Sequence, residues 1–174
     1  PWDTSCSRVD ETARMHVAAQ AAIMRRFILH RTCAMTRNKP AGPRTVRDFI
    51  FWAERRFGKA GLYFGHGTDN ARDEAVWLVT AALQIPFDGL DAQAERLLNE
   101  SEQQAVRGLV EARVGTRKPL AYLLHEAWFA GLKFYVDERV LVPRSLIGDF
   151  IHEQFQPWID PARVHRILDL CTGS

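Results

Sequence analysis

Between Thr45 and Gly115 the apolar residues recur at intervals of three and four, and that period restricts this part of the chain to short, packed helices. Val46, Phe49, Ile50, Ala53 and Phe57 form one stripe, with Arg47, Glu54, Arg55 and Arg56 between them, and Gly58 and Gly61 act as stop signals. Asn70 is positioned to cap the next helix. Asp73 and Glu74 occupy its first turn, where the helix dipole favours anions, and Val76, Val79, Ala82 and Leu83 supply its apolar residues before Ile85-Pro86. Ser101-Glu-Gln-Gln104 has the form of a capping box ahead of Val106, Leu109, Val110 and Val114, with Gly115 as the stop. The span 45–116 is therefore expected to be a bundle of roughly four helices.

The texture then changes. In Ala127-Trp-Phe-Ala-Gly-Leu-Lys-Phe-Tyr-Val136 aromatic and β-branched residues alternate around Ala130-Gly131, the pattern of a β-hairpin. Arg139-Val-Leu-Val-Pro-Arg144 is expected to extend it, with Pro143 ending the pairing by lacking a donor. Ser145 can cap a helix carrying Leu146, Ile147, Phe150, Ile151 and Phe155, and Arg166-Ile-Leu-Asp-Leu-Cys171 reads as a buried parallel strand. The expected class is α+β: a small N-terminal helical bundle (45–116), a β-hairpin linker (117–144), and the first strand of a truncated Rossmann-like α/β domain (145–174).

Charge separates the chain differently. Residues 1–47 hold nine Lys/Arg against three Asp/Glu, whereas residues 48–174 hold 14 against 18. The basic excess therefore lies outside the part with folding periodicity, which argues against a nucleic-acid-binding surface. Residues 1–44 are expected to be a basic extension, disordered or not genuinely expressed, with Met35 as a natural initiator. No apolar run approaches the roughly 18 residues a membrane helix needs. Cys6, Cys33 and Cys171 are scattered without a C-x-x-C pair, compatible with a reducing, cytoplasmic compartment and with no zinc site.

An apolar strand entering Asp169-Leu-Cys-Thr-Gly-Ser174 has the form of a cofactor loop, in which Gly173 lets the backbone approach a ligand. The alternative is a plain loop after a core strand. With three further blocks the sequence resembles the HemK-like protein N(5)-glutamine methyltransferases. Those blocks are Tyr63-Phe-Gly-His-Gly-Thr-Asp-Asn70, Arg117-Lys-Pro-Leu-Ala-Tyr122, and Phe134-Tyr-Val-Asp137 followed by Arg139 to Arg144. The first of them, with Asp73-Glu74 after it, is similar to the branch that modifies the third large-subunit ribosomal protein. The resemblance covers roughly residues 45–174 and not residues 1–34. It implies S-adenosylmethionine as cofactor, bound in part by Asp169, Thr172, Gly173 and Ser174, and a large-subunit ribosomal protein as partner. It also implies an Asn-Pro-Pro-Tyr catalytic loop. No such tetrapeptide occurs here, so no catalytic residue is carried over, and the chain is expected to be an inactive N-terminal part. The alternatives are a release-factor substrate or a binding module alone.

Two residues are substrate-facing candidates. His66, between two glycines, can meet a partner or be satisfied by local backbone bonds. Arg144 lies where the resembling family packs this segment near the cofactor cleft, or is a solvated strand end. His125, His152 and His165 lack metal-ligand spacing. Phe49, Trp52, Phe57, Trp77, Trp128 and Phe134 are most simply core.

Overall fold

The computed structural model describes residues 42–145 and 147–170. The basic extension up to residue 41, Leu146, Cys171, and the cofactor candidates Thr172, Gly173 and Ser174 lie outside the described residues.

The helical period is borne out. Helix α1 (Val46–Lys59) begins at Thr45, whose side chain accepts from Asp48 N while Asp48 returns the bond to the Thr45 backbone. Its buried face is the expected stripe, Val46, Phe49, Ile50, Ala53 and Phe57. Helix α2 (Ala71–Ala82) is capped by Asn70 as the sequence indicated, and Glu74 through Thr80 are all buried, so α2 lies in the middle of the body. A single 3-10 turn (Phe87–Gly89) leads into α3 (Leu90–Gln93), then α4 (Glu100–Thr116) and α5 (Leu120–Leu124) follow. One continuous core joins Phe49, Phe57, Leu78, Leu90, Val106 and Leu120, all nearly inaccessible.

Two end signals fall elsewhere than expected. The cap of α4 is Asn99, not Ser101, with Glu102 completing the reciprocal box. Asn99 prevails because its carboxamide accepts from Glu102 N at 2.9 Å, while the Ser101 hydroxyl donates to that same oxygen. The Glu102 carboxyl is held below the usual range, first by its bond from Arg96 and then by the Asn99 backbone. Nor does α4 stop at Gly115; it runs to Thr116, and Arg117 takes the left-handed cap at φ 59°. The Arg117 guanidinium then donates to Ala60 O and Gly61 O, which ties the end of α4 to the end of α1.

The hairpin is present as β1 (Ala127–Phe129) and β2 (Leu132–Phe134), antiparallel, with Phe129 opposite Leu132. Ala130 and Gly131 both have positive φ (49° and 75°), as a two-residue hairpin turn requires. Residues 139–144 do not extend it. Asp137 diverts the chain: its carboxylate accepts from Arg139 N at 3.0 Å and its carbonyl from Val140 N at 3.1 Å, an Asx turn that ends the pairing. Phe134, expected in the core, is 40% exposed because β2 faces outward, and Trp128 is only half-buried. Helix α6 (Ile147–His152) follows Ser145, whose hydroxyl accepts from Ile147 N.

The strand composition at 166–170 does not form a strand, as expected of an apolar segment without its sheet; Ile167, Leu168 and Leu170 are 88%, 79% and 73% exposed. A parallel strand is held by neighbours on its edges, and the two-stranded hairpin is the sheet present among the described residues. The structure thus has the α+β character expected, without a Rossmann-like sheet among the described residues.

Candidate functional site

Two segments from opposite ends of the fold meet across one cleft of about 1430 Å³. One wall is the loop Gly65 to Asp69, with Trp77 and Phe87 behind it; the other is the hairpin Ala127 to Gly131, Val142 to Ser145 and α6. Both substrate-facing candidates, His66 and Arg144, line this cleft.

The 65–69 loop is fixed from below by a buried ion pair that no spacing rule singled out. Arg113 Nε lies 2.6 Å from Glu74 Oε1, with both side chains at or below 5% exposure. The Thr68 hydroxyl donates to the other Glu74 oxygen at 3.2 Å, and a second Arg113 nitrogen donates to Tyr63 O at 3.0 Å. Glu74 thus belongs to the core contact rather than to the dipole of α2; Asp73 alone joins the Asn70 cap. A signal for Arg113 was available: with Val106 and Val110 it falls at positions i, i+4 and i+7 on the buried face of α4. A charge on an apolar stripe needs a buried partner.

The glycines set the loop's path. Gly65 and Gly67 have φ of +121° and +111°, and Gly65 N bonds Thr68 O at 2.7 Å. A Cβ at Gly67 would stand 3.3 Å from the Trp77 ring. The His66 ring, carried between them, meets Tyr63 edge-on at 6.0 Å. Gly67→Ala is therefore expected to lower stability by about 1–3 kcal/mol, read by urea denaturation; an unchanged midpoint would show that the loop has room to relax. Trp77, almost fully buried, has no partner for its indole Nε1 among the described residues.

The opposite wall hangs on the helical body through Val136 and Val142, each 1% exposed, and through the Tyr122 hydroxyl, which donates to Val140 O at 2.6 Å. Gly148 of α6 lies against Phe129 of the hairpin, so that β1 and α6 share this wall. Asp137 keeps the segment's turn. The Arg139 guanidinium beside it, with the Arg139 backbone N–H, lowers its carboxyl from 3.8 to about 2. The pairing therefore contributes fully above pH 3.8 and is lost as pH falls towards 2. A carboxyl NMR titration is expected to give a midpoint near 2 for Asp137; a value at 3.8 would mean that the turn is open in solution.

The cofactor candidates are less well served. Asp169 is exposed and is not part of the cleft wall. Its companions Thr172, Gly173 and Ser174 lie outside the described residues. No cluster of three or more His, Cys, Asp or Glu that could hold a metal occurs among the described residues. No helix among them is long and apolar enough to cross a membrane.

Residues 48–124, which include the whole Tyr63 to Asn70 loop and the Glu74–Arg113 pair, match the family model described as PrmC N-terminal domain. That part of the chain is similar to the PrmC N-terminal domain. Curated relatives agree. A protein of Neisseria gonorrhoeae is 48% identical over 131 residues, 75% of this chain and 44% of the relative. One of Burkholderia pseudomallei is 48% identical over 136 residues (78% and 44%), and one of Bordetella pertussis 45% over 141 (80% and 47%). Each is named ribosomal protein uL3 glutamine methyltransferase. The resemblance read from the four sequence blocks, including its ribosomal-protein branch, is borne out. The chain spans less than half the length of these relatives. No solved structure matches it.

Proposed function

We propose that this chain is the N-terminal, substrate-recognising part of an S-adenosylmethionine-dependent methyltransferase that modifies a glutamine side-chain amide of the large-subunit ribosomal protein uL3. The observation that carries the reading is the 45–48% identity to proteins of that name over 131 to 141 residues. In it the helical body, 45–116, recognises the substrate, the 117–144 segment links, and 145–174 begins the cofactor-binding part. His66 and Arg144 face the substrate across the cleft. Asp169, Thr172, Gly173 and Ser174 belong to the cofactor side, and the methyl donor supplies an electrophilic carbon when bound.

The chemistry favours a rigid recognition module. An amide nitrogen is a weak nucleophile, because its lone pair is delocalised into the carbonyl. Transfer to it depends on holding the nitrogen in line with the methyl carbon, and placement of that kind can supply several kcal/mol of the barrier. A loop fixed by glycines and a buried ion pair suits that task, since its geometry is set before the substrate arrives.

Retention of uL3 by the immobilised chain tests the reading, with a peptide-chain release factor as competitor. Preferential capture of uL3 is expected; capture of neither protein, or of both alike, would overturn it. The 174-residue chain itself is expected to transfer no methyl group and to bind S-adenosylmethionine negligibly, because these residues hold no Asn-Pro-Pro-Tyr tetrapeptide and Asp169 is exposed, off the cleft wall. Micromolar cofactor binding in calorimetry would contradict that expectation.

A further inference from the structure

The cleft walls carry an excess of carboxylates over cationic side chains. On the cleft, Asp69, Asp149 and Glu153 are exposed, and none has a side-chain ion-pair partner among the described residues. Against these three carboxylates the walls present one guanidinium, Arg144. Between the acids lie aromatic rings, Trp77, Phe87, Trp128 and Phe129. One of them already holds a cation: Lys133 Nζ lies 5.9 Å from the centre of the Trp128 ring.

We propose that this cleft takes an extended segment of a protein substrate whose flanks carry lysine or arginine, with Asp69, Asp149 and Glu153 selecting the cationic flanks. The inference rests on the substrate reading above and names the part of uL3 that the chain grips. Size favours a polypeptide over a small ligand, because about 1430 Å³ exceeds the roughly 300–1,000 Å³ of small-molecule pockets. Charge favours a basic one. A protein that packs against ribosomal RNA must neutralise phosphates, so its RNA-facing segments are rich in Lys and Arg. Carboxylates without internal partners steer such a segment and fix its register, while the rings accept its alkyl stems and cationic heads. The indole N–H of Trp77 adds a buried donor with no protein partner among the described residues.

Fluorescence anisotropy on the full 174-residue chain tests this, using labelled glutamine-containing peptides of equal length that are lysine-flanked, uncharged or glutamate-flanked. The lysine-flanked probe is expected to bind about 10-fold more tightly than the uncharged one at low salt, with the advantage fading as salt rises. In the variant Asp69→Asn/Asp149→Asn/Glu153→Gln the advantage should vanish while the uncharged probe binds as before. Glu153→Gln alone, on an exposed side chain of the cleft wall, should remove part of it even if the triple variant folds poorly. Equal binding of all three probes, or a preference that survives neutralisation, overturns the inference. So does a dimer in sedimentation that the triple variant abolishes, which would give the cleft to a second copy of the chain. Whole uL3 separates the two readings. If uL3 fails to bind while the lysine-flanked probe binds, the substrate assignment falls and the cleft inference stands. If uL3 binds wild type and triple variant alike, the reverse holds.

Discussion

Replacing Arg113 by methionine is expected to cost about 3–5 kcal/mol of folding stability, among the largest losses available to a single substitution in this chain. The carboxylate of Glu74 is left behind at 4% exposure, and its remaining partner is the Thr68 hydroxyl. An anion in that position has lost its water and its counter-charge together, whereas methionine fills much of the arginine's volume, so packing is not the main loss. The double variant Glu74→Leu/Arg113→Met should recover most of the stability, because two apolar side chains remove the buried charges as a pair. It should not recover the loop. Tyr63 O and Thr68 Oγ1 would both lose their bonds, and these hold the segment that carries His66 to the cleft. Urea denaturation of both variants with peptide or uL3 binding alongside separates the two effects. A single variant within 1 kcal/mol of wild type, an order-of-magnitude threshold, would show that water reaches Glu74.

The same pair marks where sequence reasoning succeeds and where it stops. The apolar stripe of α1 was legible because burial there follows the 3.6-residue period without exception. The cap at Asn70 and the turn at Ala130-Gly131 were legible because each rests on local chemistry: a carboxamide accepting from Asp73 N, and a two-residue turn of positive φ. Arg113 and Glu74 are separated by 39 residues, so their pairing is a property of how α2 and α4 pack. The path of 139–144 does not follow from its β-branched residues, because the Asp137 side chain competes with the strand for Arg139 N–H. The exposed 166–170 segment carries a strand's composition without strand neighbours among the described residues, and composition alone does not pair a backbone. His66 and Arg144 share one cleft although different signals mark them, glycine neighbours for the first and the family resemblance for the second.

Phe49→Ala is expected to cost about 3–5 kcal/mol, comparable with the loss at Arg113 but for a different reason. Phe49 sits in the first turn of α1 with no exposure, meets Trp52 edge-on at 5.9 Å, and lies 5.2 Å below the Arg107 guanidinium. Removing the ring opens a void between helices whose backbones are fixed by reciprocal caps at Thr45 and Asn99, so the surroundings can collapse only in part. The change also strips Arg107 of one of its two ring partners, leaving Trp52 at 5.0 Å. Phe49→Leu keeps most of the buried carbon and should cost less than half as much. Trp158→Ala supplies the contrast. It deletes a larger ring that is 76% exposed, and its expected effect is within about 0.5 kcal/mol. Urea melts of the three variants therefore ask where the fold keeps its free energy. A large loss at Phe49 with none at Trp158 places it in the helical body that positions the cleft loop. Comparable losses would mean that the 147–170 segment packs in solution far more closely than its exposure indicates.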